Sequence, residues 1–297
     1  MTDSVLLLNP KSAGGRHTDR TQRLAATAGF EVRESTARGE TYDLARAAAG
    51  EGIATIAAGG GDGTLNEVVA GIDDAGALAE TTVGVVPAGT GNNFAARVGI
   101  RGLEHAFDVL DTGRRRRIDL GDANGRRFVN SCVGGLTADA SVSTTPELKR
   151  RWGALAYVIA TLREYRTFEG IDVEIRDDEG ADVWTGSAIG ILVGNGRRFV
   201  GEPGTQANME DGLLNVVLIE SKPAYSLATE EAVSRFLRRD ADHLTRVLAP
   251  RLHLSVHGDE PAGFSLDGER LATDELTVES RPRCLELPVG ERYRPEP

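Results

Sequence analysis

The chain has 297 residues, 40% of them hydrophobic, which is enough for two domains with substantial cores. Its formal net charge is −11, and Lys11, Lys149 and Lys222 are the only lysines among 34 basic residues. That balance argues against a general affinity for nucleic acid, whose binding rests on neutralising phosphates. An acidic, lysine-poor surface suits high salt, although a codon bias toward arginine would give the same composition.

The first segment, MTDSVLLLNP, has no basic leader and only a short apolar run, so it reads as a β-strand rather than a signal peptide. No stretch approaches the ~20 apolar residues that span a bilayer, so no transmembrane segment is expected and any membrane work is done from the surface. Cys132 and Cys284 form no CxxC pair and sit in apolar surroundings, which fits a reducing cytoplasm.

Residues 4 to 110 alternate strand-like and helix-like runs, the pattern of an α/β layer fold. Strands are expected at Val5 to Leu8, Phe30 to Glu34, Ile53 to Ala58 and Val83 to Val86. Helices are expected at Arg20 to Ala28, Tyr42 to Ala49 and Leu65 to Gly71, with another after Asn93. Three turns rich in small residues fall where strands end: NPKSAGG (9 to 15), GGGDGT (59 to 64) and PAGTGNN (87 to 93). Strand ends of this kind are where α/β sheets bind ligands.

After Arg114 to Arg117 the pattern becomes one of strands separated by Asn-Gly, Glu-Gly and similar turns, an antiparallel sandwich-like second domain. This places the domains at 1–117 and 118–297. Two helical inserts are expected within the second, Leu148 to Glu164 and roughly Ala224 to Leu248. The last stretch, CLELPVGERYRPEP, is a candidate to pack back on the first domain.

Glycines let a backbone approach a ligand closely, and a helix starting just after them offers unpaired N–H groups to an anion. GGGDGT is therefore a phosphate-cradle candidate. It is not a P-loop, because no GxxxxGK[ST] is present, and its glycine spacing is not GxGxxG. The bland alternative is a tight turn in which Asp62 caps the helix that follows. A carboxylate in a phosphate cradle repels its ligand unless a cation or proton intervenes, which leaves Asp62 either organising Mg²⁺ or accepting a proton from a hydroxyl.

GGGDGTLNEV, preceded by NPKSAGG and followed by PAGTGNNFA, resembles the diacylglycerol kinase catalytic domain family, which includes bacterial lipid kinases and sphingosine kinases. The resemblance continues through RIDLG, KRRWGALAYVIATLRE, VGNG, DGLLNVVLI and FSLDGE. It implies an α/β nucleotide-binding domain like that of NAD kinases, a β-sandwich domain, and an active site in the cleft between them. By that resemblance Asn9, Thr36, Gly60, Gly61, Asp62, Gly63, Thr64, Leu65, Asn66 and Thr90 surround ATP, and Asp62 belongs to the Mg²⁺ and phosphate network. Asp267 and Glu269 complete it. Glu269 takes the proton of a lipid hydroxyl, Asp267 acts through metal or water, and Asp62 is the alternative base. Asp211 would hold a structural Mg²⁺ with carbonyls near Asn208 and Leu213, or else be an ordinary Asp-Gly turn. Asn93 stands where relatives often carry aspartate, and EPGTQANMEDG lacks the proline-alanine pair common before the DG turn.

The partners so implied are ATP, Mg²⁺ and a lipid at the membrane surface, for a cytoplasmic protein that can be peripheral to the membrane. Oligomeric state is open, a homo-oligomer included. His253 and His257 are four apart, but RLHLSVHG alternates as a strand, which puts them ~13 Å apart and excludes a shared metal. Arg114 to Arg117 read as a solvated turn in preference to a lipid contact. The helix carrying Lys149, Arg150, Arg151 and Trp152 is the better candidate for touching a membrane, with core packing as the commoner explanation. The rivals are a soluble-acceptor kinase, NAD above all, and a catalytically silent lipid- or nucleotide-binding regulator. The first expects a TGSTAY-like segment, which is absent. The second expects loss of a key acid, whereas Asp62, Asp267 and Glu269 are all present.

Overall fold

A computed structural model describes residues 3–37, 39–135, 170–196, 206–221, 243–258 and 260–297. The chain divides into two compact units, Met1–Leu120 with Pro282–Pro295, and Gly121–Arg281 with Glu296–Pro297.

In the first unit, β1 (Ser4–Leu8), α1 (Thr18–Thr27), β2 (Glu31–Glu34), α2 (Glu40–Gly50), β3 (Thr55–Gly60), α3 (Asp62–Asp74) and β4 (Thr82–Pro87) alternate, followed by α4 (Asn93–Arg97) and α5 (Leu103–Thr112). All four strands are parallel, in the order β2-β1-β3-β4. Val5 to Leu8, Ile56, Ala57 and Val83 are at most 1% exposed, the continuous burial expected of a parallel sheet covered on both faces. Helix α2 packs with α3, and α1 with α5, where the Phe30 and Phe107 rings meet edge to face at 6.1 Å. Gly71 allows the first of these contacts, since a Cβ there would stand 2.9 Å from the Arg46 amide nitrogen. Helix α3 begins at Asp62, three residues before the periodicity of Leu65 to Gly71, and α5 has no counterpart in the sequence reading.

The end of the chain completes this unit. Glu286 pairs with Thr82 of β4 in parallel, Leu285, Leu287, Val289 and Tyr293 are at most 3% exposed, and the Gly290 N–H donates to the Val98 carbonyl at 2.8 Å.

The arginine run is the start of a strand, β5 (Arg114–Ala123), and not the solvated turn expected. Alternation sends Arg115 and Arg117 to the same carboxylate, Glu286, at 3.3 and 3.2 Å, and Ile118 and Leu120 continue the strand into the core. Glu286 is thus a partner common to both arginines, whose side chains remain partly exposed.

The second unit holds β6 (Arg126–Phe128), β7 (Ser131–Gly135), β8 (Ile171–Arg176), β9 (Asp182–Gly194), β10 (Leu214–Glu220), β11 (Leu244–Ala249), β12 (Arg251–His257), β13 (Ala262–Leu266), β14 (Glu269–Thr273) and the first part of β15 (Glu275–Val289). Strand β9 serves two layers. Residues 182–188 pair with β8, which continues to β12 and β15, while residues 190–194 lie between β7 and β10, with β13 and β14 beyond β7 and β11 beyond β10. Val173, Ile175, Leu252, Leu254, Leu276 and Val278 from one layer meet Cys132, Ile191, Val193, Val216, Leu218 and Phe264 from the other. The architecture is an antiparallel β-sandwich.

Leu244–Ala249 was expected to be the end of a helix. It is a strand because Thr245, Val247 and their neighbours pair residue for residue with Ile219 to Leu214. The remainder of that insert, 224–242, and the insert at 148–164 lie outside the described residues. His253 and His257 lie on a strand and face different carboxylates, Asp178 at 3.5 Å and Glu174 at 3.9 Å. Among the described residues no helix is long and apolar enough to cross a membrane.

Candidate functional site

Because β1, β3 and β4 are parallel, their C-terminal ends share one edge of the sheet, and the three glycine-bearing turns leave from it side by side. This is also where the strand order reverses, with β2 on one side of β1 and β3 on the other, the usual place for a ligand in such sheets. The turns are bonded to one another. The Asn9 N–H donates to Gly59 (2.9 Å), the Ala88 N–H to Gly60 (3.0 Å) and the Asp62 N–H to Gly91 (3.0 Å). Gly61 and Gly89 touch backbone to backbone, and a Cβ on Gly89 would lie 2.5 Å from the Gly61 nitrogen. Asn92 closes its own turn, accepting from the Gly89 N–H at 3.2 Å and donating to the Gly89 carbonyl at 2.8 Å.

Asp62 is a cap, but not of its own helix. One carboxylate oxygen accepts from the Asn93 N–H (3.1 Å) and the other from the Phe94 N–H (3.0 Å), the first turn of α4. The side chain thereby ties the second glycine turn to the third, and a carboxylate there also suits the positive end of α4. Each oxygen keeps a lone pair for a further partner.

The turns enclose an open cavity of about 500 Å³. Of the residues expected around a nucleotide, Asn9, Gly61, Asp62, Gly63, Thr64 and Thr90 line it. Gly60 and Leu65 are buried behind that wall. Asn66 is 6% exposed, and its carbonyl oxygen meets no donor among the described residues. Thr36 does not line the cavity. Its hydroxyl donates to Glu40 at 2.8 Å, and its carbonyl accepts from Lys11 Nζ at 2.9 Å. Glu40 also accepts from the Thr36 and Ala37 N–H groups, and these bonds, that from the Thr36 N–H first, hold its carboxyl below the ordinary range.

Lys11 and Glu67 line the cavity as well and were not singled out from the sequence. Lys11 is the basic side chain on the cavity wall among the described residues, and it comes from the first turn, NPKSAGG, and not from GGGDGT. The signal was present in the sequence, since one of the chain's few lysines stands inside a small-residue turn.

In the second unit, Asp267 adopts a left-handed conformation (φ 47°). Its carboxylate accepts from the backbone N–H groups of Val129 (2.6 Å), Asn130 (3.0 Å) and Ser131 (2.8 Å). Both oxygens thus fill a nest of consecutive amides that joins the β13–β14 turn to the start of β7. The nearby Cys132 thiol is pushed up to about 12 by burial, with the Asp267 charge as the lesser cause. Glu269 is exposed and paired with Arg126 at 2.8 Å. Asp211 accepts from the Leu213 N–H (3.0 Å) and Asn208 Oδ1 from the Glu210 N–H (2.9 Å), two local turns in succession. No group of three or more His, Cys, Asp or Glu side chains among the described residues is arranged to hold a metal. The site envisaged at Asp211 has a single carboxylate and otherwise needs backbone carbonyls.

Residues 3–123 match the model of the diacylglycerol kinase catalytic domain, and residues 131–289 that of the YegS C-terminal NAD kinase beta sandwich-like domain. The chain is 30% identical to the "Probable lipid kinase YegS" of Salmonella arizonae over 95% of its own length and 94% of that protein. It is 30% identical to the "Probable lipid kinase YegS-like" of Serratia proteamaculans over 95% and 92%. Among solved structures it is similar to a diacylglycerol kinase from Bacillus anthracis, with a TM-score of 0.73, 21% identity and 98% of each chain covered. It is also similar to yeast NADH kinase complexed with NADH, with a TM-score of 0.51, 10% identity and 97% and 83% covered, a likeness of fold alone.

Proposed function

Since this chain belongs to the diacylglycerol kinase catalytic domain family, in its YegS-like branch of kinases, we propose that it is an ATP- and Mg²⁺-dependent kinase that phosphorylates a hydroxyl of a membrane lipid of the diacylglycerol type. The observation that carries this reading is the cavity at the ends of β1, β3 and β4, where three backbone turns meet with Lys11, Asp62 and Glu67 on the wall.

Its chemistry fits a metal-bound polyphosphate. Gly63 and Gly91 have no atom within 4 Å of where a Cβ would be, so backbone is presented bare to the cavity. The Thr64 and Thr90 hydroxyls and the amides of the turns supply neutral hydrogen bonds. Two carboxylates beside one ammonium would repel a bare polyphosphate, while hard oxygen donors are what Mg²⁺ prefers. Asp62 and Glu67 are the residues that would hold the cation. ATP with Mg²⁺ supplies the transferable phosphoryl group, and the protein's part is positioning and charge neutralisation.

Among the acids of the second unit, Glu269 fits the role of base for the lipid hydroxyl better than Asp267. Its carboxylate is exposed and paired with one arginine side chain, whereas Asp267 is committed to three backbone N–H groups. In this reading Asp267 secures the turn that presents Glu269. Asp211, with Asn208 and Leu213, remains the place for a structural Mg²⁺, held through the Asp211 oxygen that the Leu213 N–H does not occupy. The protein would act at a membrane surface from the cytoplasm.

The test is transfer of labelled phosphate from ATP with Mg²⁺, at moderate and high salt, to diacylglycerol, ether-linked diols, sphingosine-like bases and NAD. Transfer to a lipid that Glu269→Gln abolishes, with ATP affinity kept, supports the reading. Transfer to NAD alone replaces the acceptor, and nucleotide binding without transfer to any acceptor replaces the kinase by a regulator.

A further inference from the structure

Thr36 stands outside the cavity, yet it is bonded to the one basic side chain among the described residues that line it. Lys11 is fixed at both ends. Its backbone N–H donates to Asn9 Oδ1 at 3.1 Å, and Nζ donates to the Thr36 carbonyl at 2.9 Å. The Thr36 carbonyl is in turn held by Glu40, the first residue of α2, which gathers the Thr36 N–H, the Thr36 hydroxyl and the Ala37 N–H on a single oxygen. Ammonium has three donors, and the Thr36 carbonyl uses one, so two remain for the cavity. Asp62 and Glu67 are the charged residues that line the cavity besides Lys11, so an anion entering it finds its compensating charge at Lys11.

We propose that Lys11 is the cation that recognises the polyphosphate of the bound nucleotide, and that Thr36 and Glu40 are positioning residues that aim it through the Thr36 carbonyl. Thr36 therefore acts on the ligand through Lys11 and not by its own hydroxyl, which Glu40 engages. The proposal rests on the kinase reading but is narrower, because its ligand class is a polyphosphate whatever the acceptor or base.

Calorimetric titration of the full chain with ATP and with inorganic tripolyphosphate, both with Mg²⁺, tests it on the wild type, Lys11→Gln, Lys11→Arg, Glu40→Ala and the Lys11→Gln/Glu40→Ala double variant. Losing a charge-assisted bond predicts about 10- to 100-fold weaker binding of both ligands by Lys11→Gln, with most of the loss restored by Lys11→Arg. Glu40→Ala should cost about two- to fivefold on its own and nothing further once Lys11 is Gln, because its effect passes through that residue. Equal tripolyphosphate affinity in wild type and Lys11→Gln would sink the role of Lys11 and leave the kinase reading intact. A full additive loss in the double variant would sink the positioning role. A wild type that binds neither ligand would overturn the kinase reading and this proposal together.

Discussion

Removing the Asp267 carboxylate should unfold the second unit more readily long before it says anything about catalysis. Three backbone N–H groups, of Val129, Asn130 and Ser131, end on that carboxylate at 2.6 to 3.0 Å. Hydrogen bonds to a charged acceptor contribute ~1.5–3 kcal/mol each, but these are partly exposed and share one acceptor, so water recovers much of the loss and ~3 kcal/mol in total is the reasonable expectation. Alanine also has to adopt the left-handed conformation at φ 47°, adding ~1 kcal/mol, whereas asparagine tolerates it and keeps one acceptor oxygen. Asp267→Ala should therefore cost ~4 kcal/mol and Asp267→Asn ~1–2 kcal/mol by the same reasoning. Both tryptophans, Trp152 and Trp184, fall within residues 121–281, so fluorescence during urea unfolding follows this unit. With an m-value of ~2 kcal/mol/M, the alanine variant's midpoint should fall by ~2 M with m unchanged. Asp267→Asn should retain phosphoryl transfer under conditions where it is folded. An alanine variant with the wild-type midpoint but no transfer would refute this reasoning and return Asp267 to the reacting atoms.

Gly89→Ala should weaken ATP binding by about 5- to 150-fold, because the new methyl meets the Gly61 backbone and no flexible side chain can yield; overpacking of this kind costs ~1–3 kcal/mol. Gly91→Ala, with nothing within 4 Å, is the control for thermal stability, and equal melting temperatures for the two variants would contradict the close approach. Titration of native protein with a thiol reagent at pH 8 should modify Cys284, which is half-buried, and spare Cys132. The Cys132 thiol is neutral there because its pKa is raised to about 12, so its thiolate forms only as pH approaches that value. Two thiols reacting at equal rates in the folded protein would contradict that burial.

The features legible in the chain are those that neighbouring residues impose. A continuous apolar run such as Val5 to Leu8 can only be a strand buried on both faces, and turns as rich in glycine as GGGDGT cannot continue either a strand or a helix. Asp62 was recognisable as a cap from its place before a helix, but its actual partners are 31 and 32 residues away in α4. Lys11 stands in a legible small-residue turn, but its link to Thr36 spans 25 residues and is made only by folding. Leu244–Ala249 and the arginine run form strands and not the helix end and turn expected, because an apolar or charged segment of that length is ambiguous until its pairing strand is known.

The sequence by itself therefore determined the family, the α/β character of the first half, the β-rich character of the second, and the turns that line the cavity. These rest on periodicity and on backbone conformations that only certain residues allow. Tertiary structure alone decided that residues 282–295 return to close the first unit, that Asp267 ends in a nest of amides 136 to 138 residues away, and that Thr36 faces Glu40 rather than the cavity. The physical reason is that a polar side chain takes whichever donor or acceptor folding leaves unpaired beside it, and that partner is set by the packing of distant segments.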